Sequence, residues 1–310
     1  MSKTTDTDAA VGLRGIKAGN SAICTVGKEG HGLHYRGYSI EDLANKSSFD
    51  EIAYLLVHGQ LPTRAQLDEW NRQLTENRSL PDLVKNVLAS FPANAHPMDV
   101  LRTAVSALGI AEPEQSLEDG KRSAVRLLGA LPSMLGCWYR GSRGQTVSFD
   151  VEPESHAGYV MQMLKEDPST DLERRMMNSS LILYAEHEYN ASTFTARVCA
   201  STQADFYSCI TGAIGTLSGP LHGGANEQAM ELIDRFEDPE HAARSVREML
   251  ARKERIMGFG HGVYRVRDPR NAIIKAWARK LSEARSDTKL FEISEAIENV
   301  MWEEKHLFAN

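Results

Sequence analysis

Apolar residues recur every three or four positions along most of the chain, which is the spacing of one face of an α-helix. Trp70 and Leu74 illustrate the pattern, four residues apart in a run that follows Thr63, a residue able to cap a helix. Further candidate caps are Ser39, Asp238 and one of Ser48 and Asp50. The pattern predicts helices over residues 40–44, 51–58, 65–76, 81–90, 97–108, 121–139, 156–164, 171–189, 192–201, 205–217, 225–235, 239–253, 269–282 and 287–308.

Two short segments ahead of these helices have a different pattern. Residues 21–26 and 32–36 are typical of short strands, and a turn from Gly27 to Gly30 joins them into a predicted hairpin. Residues before Gly15 are predicted to be a flexible lead-in, and residues 140–151 a loop. The sequence contains no strand–helix–strand alternation and no internal repeat. The predicted fold class is therefore all-α with a small N-terminal β-hairpin.

Composition and charge narrow the class of protein. Of the 310 residues, 42% are hydrophobic and 25% charged, which is ordinary for a globular protein. The net charge of −7 gives no basic surface for nucleic acid, and no apolar run is long enough to cross a bilayer. The polar first ten residues do not resemble a secretion signal, and the four cysteines lack C-x-x-C spacing, which indicates reduced, mostly buried thiols. We therefore expect a soluble cytoplasmic protein that binds neither nucleic acid nor a membrane.

The segment Gly219–Glu227 contains the first candidate for chemistry, His222. Gly219 and Pro220 stop the preceding helix, so His222 is expected on a glycine-flanked turn close to the start of the next helix. The unpaired backbone N–H groups and the positive end of the helix dipole disfavour a protonated imidazole at such a place. A neutral histidine can donate a hydrogen bond to a carbonyl oxygen. By itself, the segment also fits a buried turn histidine.

The glycine-rich segment from Met257 to Arg270 contains His261 and a cluster of arginines. Its G-x-G-x-G spacing lacks a preceding strand, so a dinucleotide-binding loop is disfavoured. The glycines instead expose backbone groups to a flat or phosphorylated ligand. Arg265, Arg267 and Arg270 suit a phosphate or carboxylate, although the cluster also fits an ordinary charged surface.

A third histidine, His187, is predicted near the end of one helix and just before the cap of the next. It fits a hydrogen-bonded core histidine as well as a ligand-binding residue. Zinc binding is disfavoured, because the sequence has no H-E-x-x-H motif and no Cys/His pair at ligand spacing. The absence of a G-x-S-x-G motif argues against a serine hydrolase.

These segments together resemble the citrate synthase family along nearly the whole chain. The most specific matches are residues 219–227 and the segment that runs from residues 258–261 to residues 268–270. Residues 33–43, 55–63 and 96–103 also match. Residues 183–195 and 301–304 are most similar to the 2-methylcitrate synthase branch, although citrate synthases share much of these segments.

The resemblance implies a helical fold with a large domain, residues 1–223, and a small domain, residues 224–310, that forms a homodimer through the large domain. It implies condensation of an acyl-CoA, with propionyl-CoA favoured, and oxaloacetate to give 2-methylcitrate and free CoA. The alternative is a citrate synthase that uses acetyl-CoA. Acyl-CoA is a substrate in this chemistry, and neither a cofactor nor a metal is implied.

The resemblance also assigns roles to individual residues. His222 would hydrogen-bond the thioester carbonyl, and His261 would polarise and protonate the keto group of oxaloacetate. His187 and Arg270 would hold oxaloacetate, with Tyr184 as a further pocket residue. The CoA-binding residues would be Arg255, Ile256, Met257, Gly258, Phe259 and Arg265.

One part of the family pattern has no counterpart in these 310 residues. The family's catalytic base is an aspartate that follows the helix corresponding to residues 287–308, and Asp268 matches a different motif position. We therefore expect a C-terminally incomplete large domain and little or no turnover by this polypeptide. The rival hypothesis is a non-catalytic homologue that binds a ligand or a partner subunit.

Overall fold

A computed structural model describes residues 18–27, 32–149 and 155–310. These residues form fourteen α-helices and one three-stranded sheet, so the predicted all-α class with a small N-terminal hairpin is confirmed. The helices are α1 Ile40–Lys46, α2 Phe49–His58, α3 Arg64–Glu76, α4 Asp82–Ala89, α5 Pro97–Ala111, α6 Gly120–Gly141, α7 His156–Leu164, α8 Asp171–Tyr184, α9 Ala191–Ser201, α10 Phe206–Leu217, α11 Gly224–Asp234, α12 Pro239–Ala251, α13 Pro269–Ala284 and α14 Lys289–Lys305.

The sheet is built by the predicted hairpin and one additional strand. Its strands are β1 Cys24–Val26, β2 Leu33–Tyr35 and β3 Tyr38–Ser39. Cys24 faces Tyr35 and Val26 faces Leu33 across the antiparallel β1–β2 pair, and these four side chains are buried. A tight turn at Gly37, with φ of 92°, adds β3, which the sequence pattern does not predict. The sheet therefore presents one apolar face to the helices.

Polar caps start the helices where the sequence predicts them. The confirmed caps are Ser39 for α1, Thr63 for α3 and Asp238 for α12. For α2 the cap is Ser48, whose hydroxyl accepts a hydrogen bond from the third residue of the helix, while Asp50 is buried and accepts one from the backbone of His156. The helix ends at Gly59, with φ of 90°, as expected for a glycine that closes a helix.

Helix α8 ends at Tyr184, five residues before the predicted end. Glu188 has a φ of 57°, which a helix does not allow, and the side chain of Asn190 accepts the N–H of Thr193 to start α9. The prediction that this helix continues to residue 189 is therefore wrong. His187 lies on the loop between α8 and α9, three residues after the end of α8 and three before the cap Asn190.

Three other sequence predictions need adjustment or cannot be compared. Helix α14 ends at Lys305 rather than at residue 308, since His306 takes a left-handed φ of 53°. Residues 145–149 of the predicted loop are irregular, whereas α6 extends to Gly141. The predicted lead-in before Gly15, turn residues 28–30 and residues 150–151 lie outside the described residues.

Buried apolar side chains form three clusters. The first joins the sheet to α1, α2, α3 and α8, and the second joins α4, α5 and α6 to Tyr207 of α10. The third lies between α11, α12 and α14 and contains no residue before Leu232. Tyr264, from the segment between α12 and α13, is buried in the first cluster. The segment that carries His261 is thereby attached to the core of the hairpin.

The cysteines do not form disulfides, as the sequence predicts. Cys24 and Cys209 are buried, whereas Cys137 and Cys199 are only partly buried. Within the described part of the chain, no helix is both long enough and apolar enough to span a bilayer.

Candidate active site

Several parts of the chain meet at a cleft of about 840 Å³. The candidate residues come from the end of α8 and the α8–α9 loop, the turn before α11, the glycine segment of residues 255–262, and the start of α13. The start of α5 and Asn310 also border the cleft. The cleft is lined by Tyr184, His187, His222, Arg255, Ile256, Met257, Gly258, Phe259, His261 and Arg270, all of which the sequence singles out. Arg265 is not part of the lining, and its side chain is exposed on the turn before α13. The fold therefore brings three histidines and an arginine from distant parts of the sequence to one place.

His222 lies on the tight turn between α10 and α11, as predicted. Its N–H donates to the carbonyl of Gly219 at 2.9 Å, and its own carbonyl accepts the N–H of Ala225 at 3.0 Å. A Cβ atom at Gly223 would lie 2.6 Å from the carbonyl oxygen of Leu217, so only glycine fits there without a backbone shift. Close packing of the turn thus fixes the position of the imidazole at the cleft wall.

Ser192 at the start of α9 selects the tautomer of His222. The backbone N–H of Ser192 donates to Nε2 of His222 at 3.3 Å, and the Ser192 hydroxyl lies 2.9 Å from the same atom. Because Nε2 accepts, the proton of the neutral ring lies on Nδ1. Burial lowers the pKa of His222. Partial burial therefore favours the neutral ring, whereas the sequence suggests the helix dipole as the cause.

His261 has the opposite tautomer. Its Nδ1 accepts the backbone N–H groups of Val263 at 3.0 Å and Tyr264 at 3.2 Å. The proton of the neutral ring therefore lies on Nε2. The bend that allows these contacts follows Gly258 and Gly260, which have φ values of 90° and 71°, a region that favours glycine.

His187 lies beside His261, with ring centroids 5.2 Å apart in an edge-to-face arrangement. Its Nε2 is 3.2 Å from the hydroxyl of Tyr264. Burial lowers the pKa of His187 to about 3, and the positive charge of Arg270 acts in the same direction. His187 is therefore uncharged at neutral pH.

Arg270 is held by a bidentate ion pair with Asp268. Nε of Arg270 donates to Oδ1 at 2.9 Å and a terminal nitrogen donates to Oδ2 at 2.6 Å. Asp268 also caps α13, and its side chain is 1% exposed, compared with 23% for Arg270. Burial opposes ionisation of Asp268, but the hydrogen bonds and charge of Arg270 outweigh it and hold the pKa below its usual value. The guanidinium is thus pre-oriented, while part of it stays accessible from the cleft.

Tyr184 and Asn226 connect the two sides of the cleft. The side-chain amide of Asn226, in the first turn of α11, donates to the hydroxyl of Tyr184 at 3.2 Å. Tyr184 is the last residue of α8 and is 62% exposed, so most of its ring faces open space. No local sequence signal identifies Asn226 or Ser192, because their partners lie 42 and 30 residues away in the chain.

The glycine segment pairs with the last described residues. Phe259 and Ala309 form an antiparallel β-bridge, the N–H of Gly260 donates to the carbonyl of Phe308 at 2.8 Å, and the N–H of Asn310 donates to the carbonyl of Gly258 at 3.0 Å. One edge of the segment is therefore engaged by residues 308–310, which also border the cleft through Asn310.

No group of three or more histidine, cysteine, aspartate or glutamate side chains is arranged to hold a metal ion in the described ranges 18–27, 32–149 and 155–310. The three histidines of the cleft have protein partners or face one another. The arrangement supplies neutral hydrogen-bond donors and one guanidinium, which is suited to binding carbonyl and carboxylate oxygens.

Comparison with known proteins agrees with this chemistry. The family described as "Citrate synthase, C-terminal domain" matches residues 12–310. The 2-methylcitrate synthase of Shewanella oneidensis is 51% identical over 300 residues, covering 96% of this chain and 80% of that protein. Citrate synthase 2 of Bacillus subtilis is 39% identical over 310 residues, covering 97% of this chain and 82% of that protein.

A solved structure provides the corresponding likeness in three dimensions. It is the ternary complex of citrate synthase from Thermoplasma acidophilum with carboxymethyl coenzyme A and oxaloacetate. This chain is 31% identical to it with a TM-score of 0.90, and the match covers 96% of this chain and 81% of the other.

Proposed function

This chain belongs to the citrate synthase family, and we propose that its cleft condenses an acyl-CoA, preferentially propionyl-CoA, with oxaloacetate to give 2-methylcitrate and free CoA. The family uses a CoA thioester and oxaloacetate as substrates and requires no metal or other cofactor. The observation that carries the proposal is the meeting of two histidines of opposite tautomer with His187 and Arg270 in one cleft.

The first step transfers a proton from the α-carbon of the acyl-CoA to a base, a role not assigned to any of the described residues, and leaves an enol. That carbon is weakly acidic, so the charge that develops on the thioester oxygen must meet a donor already in place. Nδ1–H of His222 is that donor, because Ser192 occupies the other ring nitrogen. A neutral imidazole gives up little of its own proton and therefore stabilises the oxygen by a hydrogen bond.

The second step joins the enol carbon to the keto carbon of oxaloacetate. Nε2–H of His261 donates to the keto oxygen and protonates it as the new bond forms. Arg270 pairs with a carboxylate of oxaloacetate, and the neutral ring of His187 donates to the same molecule. Because Asp268 already orients the guanidinium, little side-chain entropy is lost when oxaloacetate binds. Hydrolysis of the thioester then releases CoA.

The CoA part of the substrate is expected along the glycine segment. The backbone of residues 255–259, which lines the cleft, receives the adenine, and the exposed Arg265 meets the phosphates from outside the lining. Tyr184 is proposed as a further pocket residue, and its largely exposed ring offers an apolar contact for a propionyl methyl group.

The acidic side chains near the cleft have other partners. Both carboxylate oxygens of Glu227 lie 3.1 Å from Nε2 of His96, and Asp268 is paired with Arg270. Glu186 has a raised pKa because it is buried, although it accepts backbone N–H groups of its own loop. Since no carboxylate of this set is assigned as the base, we propose that the polypeptide of residues 1–310 turns over little or not at all. The alternative is a non-catalytic homologue. It would be favoured if the protein, extended to the full length of its relatives, formed a stable dimer that binds oxaloacetate but never releases CoA.

Two domains and a homodimer complete the proposal. The separate apolar cluster of α11, α12 and α14 supports a division into residues 1–223 and 224–310, with Tyr264 as an exception that packs on the large domain. A dimer through the large domain is supported by α9, none of whose side chains is buried although the helix packs on α10.

Release of free thiol from propionyl-CoA and from acetyl-CoA, each with and without oxaloacetate, tests the function. With a protein extended to its relatives' length, we expect release that requires oxaloacetate and is faster with propionyl-CoA. Faster release with acetyl-CoA would favour a citrate synthase, the name carried by relatives 38–39% identical to this chain. A protein extended to its relatives' length that released no thiol from either substrate would refute the proposal.

A further inference from the structure

Tyr264 is a buried tyrosine that contacts two of the three cleft histidines. Tyr264 is 6% exposed, and it belongs to the apolar cluster of the N-terminal hairpin. The neighbouring Val263 packs so closely on Gly27 that a Cβ atom there would lie 2.9 Å from the valine side chain. Tyr264 is therefore fixed by the core and not by the cleft.

The backbone of Tyr264 controls His261. Its N–H donates to Nδ1 of His261 at 3.2 Å, alongside the N–H of Val263. The two rings lie 4.6 Å apart with their planes 33° from parallel. These contacts fix both the tautomer and the plane of His261.

The side chain of Tyr264 controls His187. Its hydroxyl lies 3.2 Å from Nε2 of His187, and the two rings meet edge to face at 5.6 Å. Because this hydrogen bond occupies Nε2 of His187, the protonation state of Nδ1 is fixed as well, and Nδ1 remains available to a ligand. One core residue thus sets the positions of His187 and His261, whose centroids are 5.2 Å apart.

We propose that Tyr264 is a positioning residue for the oxaloacetate site, whose hydroxyl holds His187 in a single tautomer and whose backbone N–H keeps the proton of His261 on Nε2. The proposal rests on the proposed function, because it names oxaloacetate as the ligand. Tyr264 acts through the two histidines and does not itself react.

The test is Tyr264→Phe, which keeps the ring and the backbone N–H and removes only the hydroxyl. Nitrogen-15 NMR of the histidine rings reports the tautomer of each ring directly. In the unsubstituted chain His187 should show one protonated and one unprotonated nitrogen. In the variant these two signals should move towards each other as the tautomers mix, while the signals of His261 should not change. The dissociation constant for oxaloacetate should rise roughly threefold to tenfold, as expected for one lost hydrogen bond.

Tyr159→Phe is the matched control, because its buried hydroxyl bonds Ser133 in a different part of the core. It should leave the ring signals of His187 and the affinity for oxaloacetate unchanged. Unchanged His187 signals or an unchanged dissociation constant in Tyr264→Phe would overturn the inference without affecting the proposed function. An unsubstituted chain that does not bind oxaloacetate would overturn the proposed function, and the NMR signals would still decide whether the hydroxyl positions His187.

Discussion

Replacing Asp268 by asparagine changes the shape of the side chain very little but should destabilise the fold strongly. Asp268 is the most buried charged group of the cleft region, and both of its oxygens bind Arg270. Asparagine can still cap α13 and accept one hydrogen bond, so the substitution mainly removes the negative charge. Arg270 is then left with its positive charge partly buried and without its counter-ion.

The magnitude follows from the burial of the pair. Removing one partner of a fully buried ion pair costs about 3–5 kcal/mol. Because 23% of the Arg270 side chain remains exposed, water recovers part of the cost. We therefore expect the free energy of unfolding to fall by about 2–4 kcal/mol.

Equilibrium denaturation in urea, followed by tryptophan fluorescence and by circular dichroism, measures this change, provided that the two transitions coincide. The matched control is Asp238→Asn, since Asp238 caps α12 through the N–H of His241 and has no ion-pair partner among the described residues. The control should change the free energy of unfolding by no more than about 0.5 kcal/mol. Equal losses in the two variants would refute the assignment of the energy to the ion pair.

The pH dependence of stability gives an independent test of the same pair. The folded-state pKa of Asp268 is lowered by Arg270, while the unfolded value is about 3.9. The stabilisation is therefore complete above about pH 5 and is lost as the pH falls below about 4. Asp268→Asn should remove this part of the acid sensitivity, and an unaltered slope would contradict the reasoning.

Other substitutions test the remaining contacts. Gly223→Ala should lower the free energy of unfolding by about 1–3 kcal/mol, because the added Cβ meets a backbone oxygen. Gly141→Ala, whose added Cβ meets open space, should change it by less than about 0.5 kcal/mol in the same urea denaturation assay. Ser192→Ala should shift the tautomer balance of His222 in nitrogen-15 NMR, and unchanged signals would show that the backbone N–H alone selects it. Lys165 and the backbone N–H of Thr170 lower the pKa of Glu173 to about 2. Glu173 should therefore stabilise the fold above about pH 4.5 and lose that effect between pH 4.5 and 2, so Glu173→Gln should flatten the curve of unfolding free energy against pH in this window.

Local signals in the sequence account for most of the fold. Capping residues such as Ser39 and Thr63 mark helix starts because their side chains bond backbone groups only two or three residues away. The end of α8 escaped prediction because apolar spacing continues beyond Tyr184. The left-handed Glu188 in the loop that follows carries no sequence signal of the kind that glycine provides.

The candidate site was predictable in its residues but not in its connections. His222 and His261 stand on glycine-flanked turns, which the sequence reveals directly. Their tautomers depend on Ser192 and on Tyr264, and Ser192 reaches its histidine only through the fold. Sequence spacing groups Arg265 with Arg270, whereas of these two arginines only Arg270, at the start of α13, lines the cleft.

Calorimetric titration of oxaloacetate into the unsubstituted chain, His261→Gln and His222→Gln tests the central claim most directly. The two histidines are assigned to different substrates, so the titration should separate them. We expect saturable binding to the unsubstituted chain, affinity lower by about tenfold or more in His261→Gln, and affinity within about twofold in His222→Gln. No binding to the unsubstituted chain, or equal losses in the two variants, would contradict the account.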